Sequence, residues 1–195
     1  MSWERDVEFL FEIGTMRHVV RTWHQFGGVD FANLAEHSLR VGWLAMIIAQ
    51  REGGDVGKVL QMAVLHDLAE TRTGDVNYLT RMYVERGENE AFADSARDTS
   101  LEKQLVSLWE EYEMQETLEA KIVKDADNLD CDLELAEKAA IGVTIAEKLK
   151  ETRESVFSLL RTPSARELFR HIWAAEPHSW HLNGRNRMTM GDWKK

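Results

Sequence analysis

Proline and cysteine are almost missing from this chain, and each shortage excludes something. Only Pro163 and Pro177 occur in 195 residues, so little interrupts helices, and no alternating Val/Ile/Thr-rich run offers a strand. The single Cys131 rules out an intramolecular disulfide and fits a reducing compartment. Long hydrophobic runs are absent too. The longest, Val41 to Ala49, contains Gly42 and is soon followed by Arg51, short of the roughly 18 residues that mark a membrane span. The opening Met1-Ser2-Trp3-Glu4-Arg5-Asp6 is charged, unlike a secretory signal. Positive charge is in deficit, 24 Lys and Arg against 34 Asp and Glu for a net charge of -10, so a nucleic-acid surface is not expected. A small phosphorylated substrate is compatible, because one metal ion and one or two arginines reverse the sign locally. The expectation is a cytoplasmic protein with one domain over residues 1–175 and a polar tail over 176–195.

What is present is helical periodicity. The pattern predicts a helix over about residues 2–17, with Ser2 as its cap and Val7, Leu10, Phe11 and Gly14 on one face. A second covers about 33–51, and a third follows Asp55 and carries Val59, Met62, Ala63 and His66 on one face. Residues 18–28 are β-branched and aromatic, end in Gly27-Gly28, and read as an irregular loop facing a pocket. A short helix after Gly74 precedes a break at Gly87. A long helix then spans about 89–114, another starts near Thr117, and further ones cover 139–150, 153–160 and 164–173. The fold class is all-α, a compact helical bundle.

Chemistry concentrates in Leu65-His66-Asp67-Leu68-Ala69-Glu70-Thr71-Arg72-Thr73-Gly74-Asp75. Adjacent His and Asp at the end of an apolar run, with two more carboxylates within nine positions, offer a nitrogen and several oxygens to a divalent ion. His66 and Glu70 would share a helix face, and Gly74 would bend the chain so that Asp75 points back. Two further places could converge there: Glu36-His37, and Asp127 within Lys124-Asp125-Ala126-Asp127-Asn128-Leu129-Asp130. Two imidazoles and two carboxylates suit one divalent ion, Mn2+, Co2+, Fe2+, Ni2+, Zn2+ or Mg2+, with open positions for water or substrate.

These motifs resemble the HD superfamily of metal-dependent phosphohydrolases, whose pattern is a lone His, a His-Asp pair and a distant Asp on a later helix. The resemblance covers a core of about 21–135. It is closest to the branch that includes bacterial 5′-deoxynucleotidases, in which His-Asp-x-x-Glu-x-x-x-Gly-Asp follows a Glu-His-Ser segment, here Glu36-His37-Ser38. It implies an HD-type bundle with a metal site between helices. It also implies His37, His66, Asp67 and Asp127 as metal ligands, Glu70 and Asp75 as catalytic acids, and Arg21 as a phosphate contact. The branch often has a tryptophan near that arginine that shapes the sugar pocket; here Thr22 follows Arg21 and Trp23 comes one later.

The implied activity is release of phosphate from nucleoside 5′-monophosphates by a metal-activated water. The alternatives are a pyrophosphohydrolase or phosphodiesterase of the same superfamily, a di-iron oxygenase on the same frame, and a non-catalytic module whose ion only staples helices. A second metal would need histidines between His66 and Asp127, and residues 68–126 contain none. Lys124 stands between surface charge and phosphate contact. Asp125 reads as a solvated surface charge and Asp130 as a helix-face residue or one that supports a ligand from behind. His178 and His181 read as an incidental surface pair, Cys131 as a small buried residue, and the scattered tryptophans suit packing and a homodimer.

Overall fold

The structure, a computed structural model, describes residues 3–184, and every regular element among them is helical. Val20 and Asn33 form only an isolated antiparallel bridge. The order is α1 (Trp3–Gly14), a 3-10 turn (Thr15–His18), α2 (His24–Gly27), α3 (Leu34–Glu52), α4 (Val56–Leu65), α5 (Glu70–Thr73) and a 3-10 turn (Thr80–Met82). There follow α6 (Glu88–Ala96), α7 (Glu102–Met114), α8 (Leu118–Ala140), α9 (Thr144–Phe157), α10 (Pro163–Ala174) and α11 (Ser179–Leu182).

The centre is α3 packed between α4 and α8. Val41, Ala45 and Ile48 from α3, Val59, Met62 and Ala63 from α4, and Ile122, Ala126 and Leu129 from α8 are all fully buried. Each larger side chain among them contributes about 1.5–3 kcal/mol by leaving water. Helix starts are fixed locally. Asn33 and Glu36 form a reciprocal capping box on α3, so the glutamate preceding His37 secures the helix start. Asp55 caps α4 through Lys58 N, and Thr117 caps α8 through Ala120 N.

Several expected boundaries and faces differ. The apolar face of α1 is turned outward: Trp3, Leu10 and Phe11 are 85%, 63% and 75% exposed, and Phe9 is the residue α1 buries. Periodicity identified the amphipathic helix but not which side finds a neighbour. The cap assigned to Ser2 lies outside the described residues. The irregular stretch 18–28 contains the short α2, and the first turn after Gly74 is 3-10, delayed to Thr80.

The single long helix over 89–114 is two, α6 and α7. Asp98 has φ +61, Thr99 Oγ1 donates to Ala96 O, and Asp98 N donates to Glu102 Oε2. Asp-Thr-Ser therefore supplies local bonds that compete with the helix ladder. The helices over 139–150 and 153–160 are one, α9, because α8 runs on to Ala140 and Gly142, at φ +85, makes the break. In the stretch read as a tail, α11 forms, while residues 185–195 lie outside the described ones.

Candidate metal centre

The motif His66-Asp67 sits where α4 stops. Leu68 N donates to Leu65 O, Glu70 N to Asp67 O and Thr71 N to Leu68 O, a run of tight turns between α4 and α5. His66 and Glu70 are therefore not on one continuous helix, as the i, i+4 spacing suggested. The tighter winding has a use: neighbours on an α-helix point about 100° apart, whereas here His66 Nε2 and Asp67 Oδ2 converge to 3.2 Å.

His37 from α3 and Asp127 from α8 complete the group. His37 Nε2 lies 3.2 Å from Asp67 Oδ2, 3.3 Å from Asp127 Oδ1 and 3.3 Å from His66 Nε2. His66 Nε2 is 3.9 Å from Asp127 Oδ1, and the four donor atoms lie within 4.8 Å of one another. Ligands about 2.0–2.2 Å from one ion stand roughly 3–3.5 Å apart at ordinary coordination angles, so the spacing fits a first-row divalent cation. Among the described residues this is the one such group of three or more donors.

The tautomers fit as well. His66 Nδ1 lies 2.7 Å from Ala63 O and must donate to it, and His37 Nδ1 lies 2.6 Å from Asp130 Oδ2. In the neutral rings that metal binding requires, both Nε2 atoms then carry lone pairs 3.3 Å apart, a place that a cation, or without one a proton on His37, must bridge. The electrostatics agree. Burial lowers the His37 pKa, but the carboxylates of Asp127, Asp130 and Asp67 outweigh it and hold the imidazole well above its ordinary range. Asp67 and Asp127 go well below the usual carboxylate range against the penalty of burial, Asp67 through His66 and His37, Asp127 through Lys124 and His37. The site is built for positive charge.

Asp130 backs His37: its Oδ2 faces His37 Nδ1, and its Oδ1 accepts from Arg40 Nε, whose Nη1 also reaches Glu137 at 2.8 Å. Asp130→Asn is therefore expected to weaken divalent-metal affinity by about 10–100-fold with the helical fold intact, measured by metal titration beside circular dichroism.

Beside the four donors opens a cavity of about 160 Å3 whose wall is strongly polar. Glu70 is buried there; its Oε1 accepts from Arg86 Nη1 at 3.0 Å, and its Oε2 has no partner. Burial first, then Asp67 and Asp75, push its carboxyl up to about 9. Gly74 adopts φ 75, ψ 154, a region open essentially to glycine alone, and this turn sends Asp75 into the same cavity. Asp75 Oδ2 accepts from Thr22 N at 3.0 Å and faces Arg21 Nη1 at 3.5 Å, while Arg21 Nη1 also stands 3.3 Å from Asp67 Oδ2. The segment bearing Arg21 is tied to the start of α3 by Arg21 N to Ala32 O and Leu34 N to Val19 O. All seven residues singled out from the sequence thus meet.

Other expectations divide. Lys124 Nζ is 2.8 Å from Asp127 Oδ2 and lines the cavity. Asp125 is not a solvated charge: it is buried, and it accepts from Arg161 N, Thr162 N and Thr162 Oγ1, stitching α8 to the start of α10. Cys131 is buried and its thiol pushed up to about 12 by burial, which makes it inert. Trp23 packs against the small cluster of Phe31, Cys131, Leu135 and Ala146, its ring centroid 6.4 Å from that of Tyr78. His178 and His181 are 3.2 Å apart on the surface, with no third donor grouped to them among the described residues. Arg81, Arg86, Trp109 and Tyr112 also line the cavity and carry no motif in the sequence. The two arginines lie on an irregular segment with no periodicity, and the two aromatics look like ordinary core positions of α7.

A family model described as HD domain matches residues 13–140. Two curated relatives are named 5′-deoxynucleotidase HDDC2: one from Danio rerio, 30% identical over 130 residues, and one from Homo sapiens, 30% identical over 137. The matches cover 64% and 67% of this chain and the same shares of those proteins, so the chain spans about two thirds of their length. In fold it is similar to a conserved hypothetical protein from Pyrococcus furiosus, with TM-score 0.71 and 24% identity over 87% of this chain and 99% of the other. By its helices, its His37/His66-Asp67/Asp127 group and this match, the chain belongs to the HD domain family.

Proposed function

We propose that this chain is a metal-dependent phosphohydrolase that releases phosphate from nucleoside 5′-monophosphates. The observation that carries this reading is the four-donor group, three of whose members, His66, Asp67 and Asp127, line a polar cavity shared with Glu70, Asp75 and Arg21. A purely structural ion is normally closed in by protein. The names of the relatives supply the substrate class.

His37, His66, Asp67 and Asp127 would hold one divalent ion of the Mn2+, Co2+, Fe2+, Ni2+, Zn2+ or Mg2+ kind, whose chemistry is to acidify water and polarise a phosphate oxygen. The residues do the rest. Glu70 presents the free Oε2 to the attacking water; once the charges of Asp67 and Asp75 are neutralised, its carboxyl falls toward the range of a general base. Arg21 offsets phosphate charge, and Asp75 fixes Arg21 and the Thr22 backbone. Asp130 holds the His37 tautomer, so His37 keeps its donor atom aimed inward.

The test is phosphate release from a panel of ribo- and deoxyribonucleoside monophosphates with Mn2+, Co2+ or Mg2+, against EDTA. Release that EDTA abolishes supports the reading; an inert protein that still binds metal favours the scaffold. Arg81 and Lys124 at the cavity add positive charge that a second phosphate could use, so nucleoside di- and triphosphates belong in the panel as the competing substrates.

The same reading includes a cytoplasmic homodimer. Leu39, Trp43 and Ile47 form an exposed stripe along α3, Leu60 and Val64 are exposed on α4, and Leu60 lies against Gly42. Contiguous apolar surface of this kind marks interfaces. Trp43→Glu is expected to convert the dimer to monomer in sedimentation equilibrium, and a monomeric parent protein would remove the proposal.

A further inference from the structure

We infer that Arg86 is a positioning residue for the hydrolytic reaction: it grips one oxygen of Glu70 so that the other is presented to the substrate. The inference rests on the proposed role of Glu70. Arg86 precedes α6 on the irregular segment after the Thr80–Met82 turn. Its Nη1 donates to Glu70 Oε1 at 3.0 Å and to the Gly74 carbonyl at 3.2 Å, and its Nη2 lies 2.6 Å from Glu88 Oε1. One guanidinium thus ties together the catalytic carboxylate, the glycine turn that delivers Asp75, and the first residue of α6.

The asymmetry of the carboxylate is what matters. Oε1 is engaged, and Oε2 is buried without a partner. A buried carboxyl oxygen left without a partner is penalised, a penalty retained when the atom has a task. Without the arginine the side chain could turn and satisfy Oε2 elsewhere. Arg86 is itself only 13% exposed, and two carboxylates already face it, so its charge is spent on positioning. Arg81 is the contrasting case, an exposed arginine at the cavity whose Nε donates to the Val76 carbonyl at 2.8 Å and which has no carboxylate within ion-pair distance among the described residues.

The experiment compares Arg86→Gln, Arg86→Lys, Glu70→Gln and the double variant Arg86→Gln/Glu70→Gln as full-length, Mn2+-loaded protein. Arg86→Gln is expected to lower kcat by about 10–100-fold, the scale of a misplaced catalytic group, with KM and inorganic-phosphate affinity within about twofold. Arg86→Lys should restore part of kcat, and the double variant should be no slower than Glu70→Gln. A raised KM with weakened phosphate binding and unchanged kcat would make Arg86 a substrate contact and overturn the inference, as would additive losses in the double variant. Thermal unfolding of the metal-free parent, Arg86→Gln, Glu70→Ala and the double variant Arg86→Gln/Glu70→Ala gives a readout independent of turnover, the alanine removing the acceptor that a glutamine would keep. Non-additive changes in midpoint support the Arg86–Glu70 link, and strictly additive ones refute it, even if the parent protein released no phosphate from any nucleotide and the functional reading itself failed.

Discussion

Glu70→Gln is expected to reduce phosphate release by about 10^2–10^4-fold, the usual contribution of a positioned general base, while metal content and KM stay close to those of the parent protein. The amide is nearly isosteric and still accepts from Arg86 through its oxygen, so the cavity keeps its shape. What it loses is the ability to take a proton at the position of Oε2, the buried atom that has no partner. Steady-state kinetics with metal analysis of the same sample checks this. A variant within about threefold of the parent in kcat would remove Glu70 from the proton-transfer role and leave Asp75 as the candidate.

The second large effect concerns the ion. His66→Ala and Asp127→Ala each delete one of four donors that lie within 4.8 Å of one another. Affinity should fall by more than about 100-fold, because outer partners of metal ligands alone are worth about 10–100-fold. Activity should fall with it and return in part only at high metal concentration. The sign with pH follows from His37. Its pKa is raised well above the ordinary imidazole value by Asp127, Asp130 and Asp67 acting against burial, so the metal-free site carries a proton that binding must expel. Affinity therefore rises with pH and falls as the solution is acidified. Calorimetric titration in two buffers of different ionisation enthalpy at neutral pH should show net proton release. Equal heats in both buffers would contradict the protonated His37.

The grouping of four donor side chains is legible because residue type and spacing carry it: a His-Asp pair, a lone His and a distant Asp on separate helices. Packing was less legible. In α1 the repeat of Val7, Leu10 and Phe11 describes an amphipathic helix equally well whether that face is covered or open, and in the structure it is open. The sequence does not separate Asp125 from its neighbours because Asp125, Asp127 and Asp130 on α8 differ only in what lies opposite. Asp125 meets backbone donors at 161–162, Asp127 meets the imidazoles, and Asp130 meets the rear of His37. None of those neighbours is local in sequence. The break at Asp98 is marked by Thr99, whose hydroxyl bonds the Ala96 carbonyl in competition with the helix ladder, but the apolar spacing across it hides the signal. Arg86 had no signal at all, since its register depends on the path of an irregular segment.

The account depends on one cation lying between α3, the α4–α5 turn and α8. Anomalous diffraction from crystals of the protein soaked in Mn2+ measures this directly. A single strong peak bounded by His37 Nε2, His66 Nε2, Asp67 Oδ2 and Asp127 Oδ1 is the predicted result. An intact fold with no peak there, or with the peak held by other residues, would contradict it.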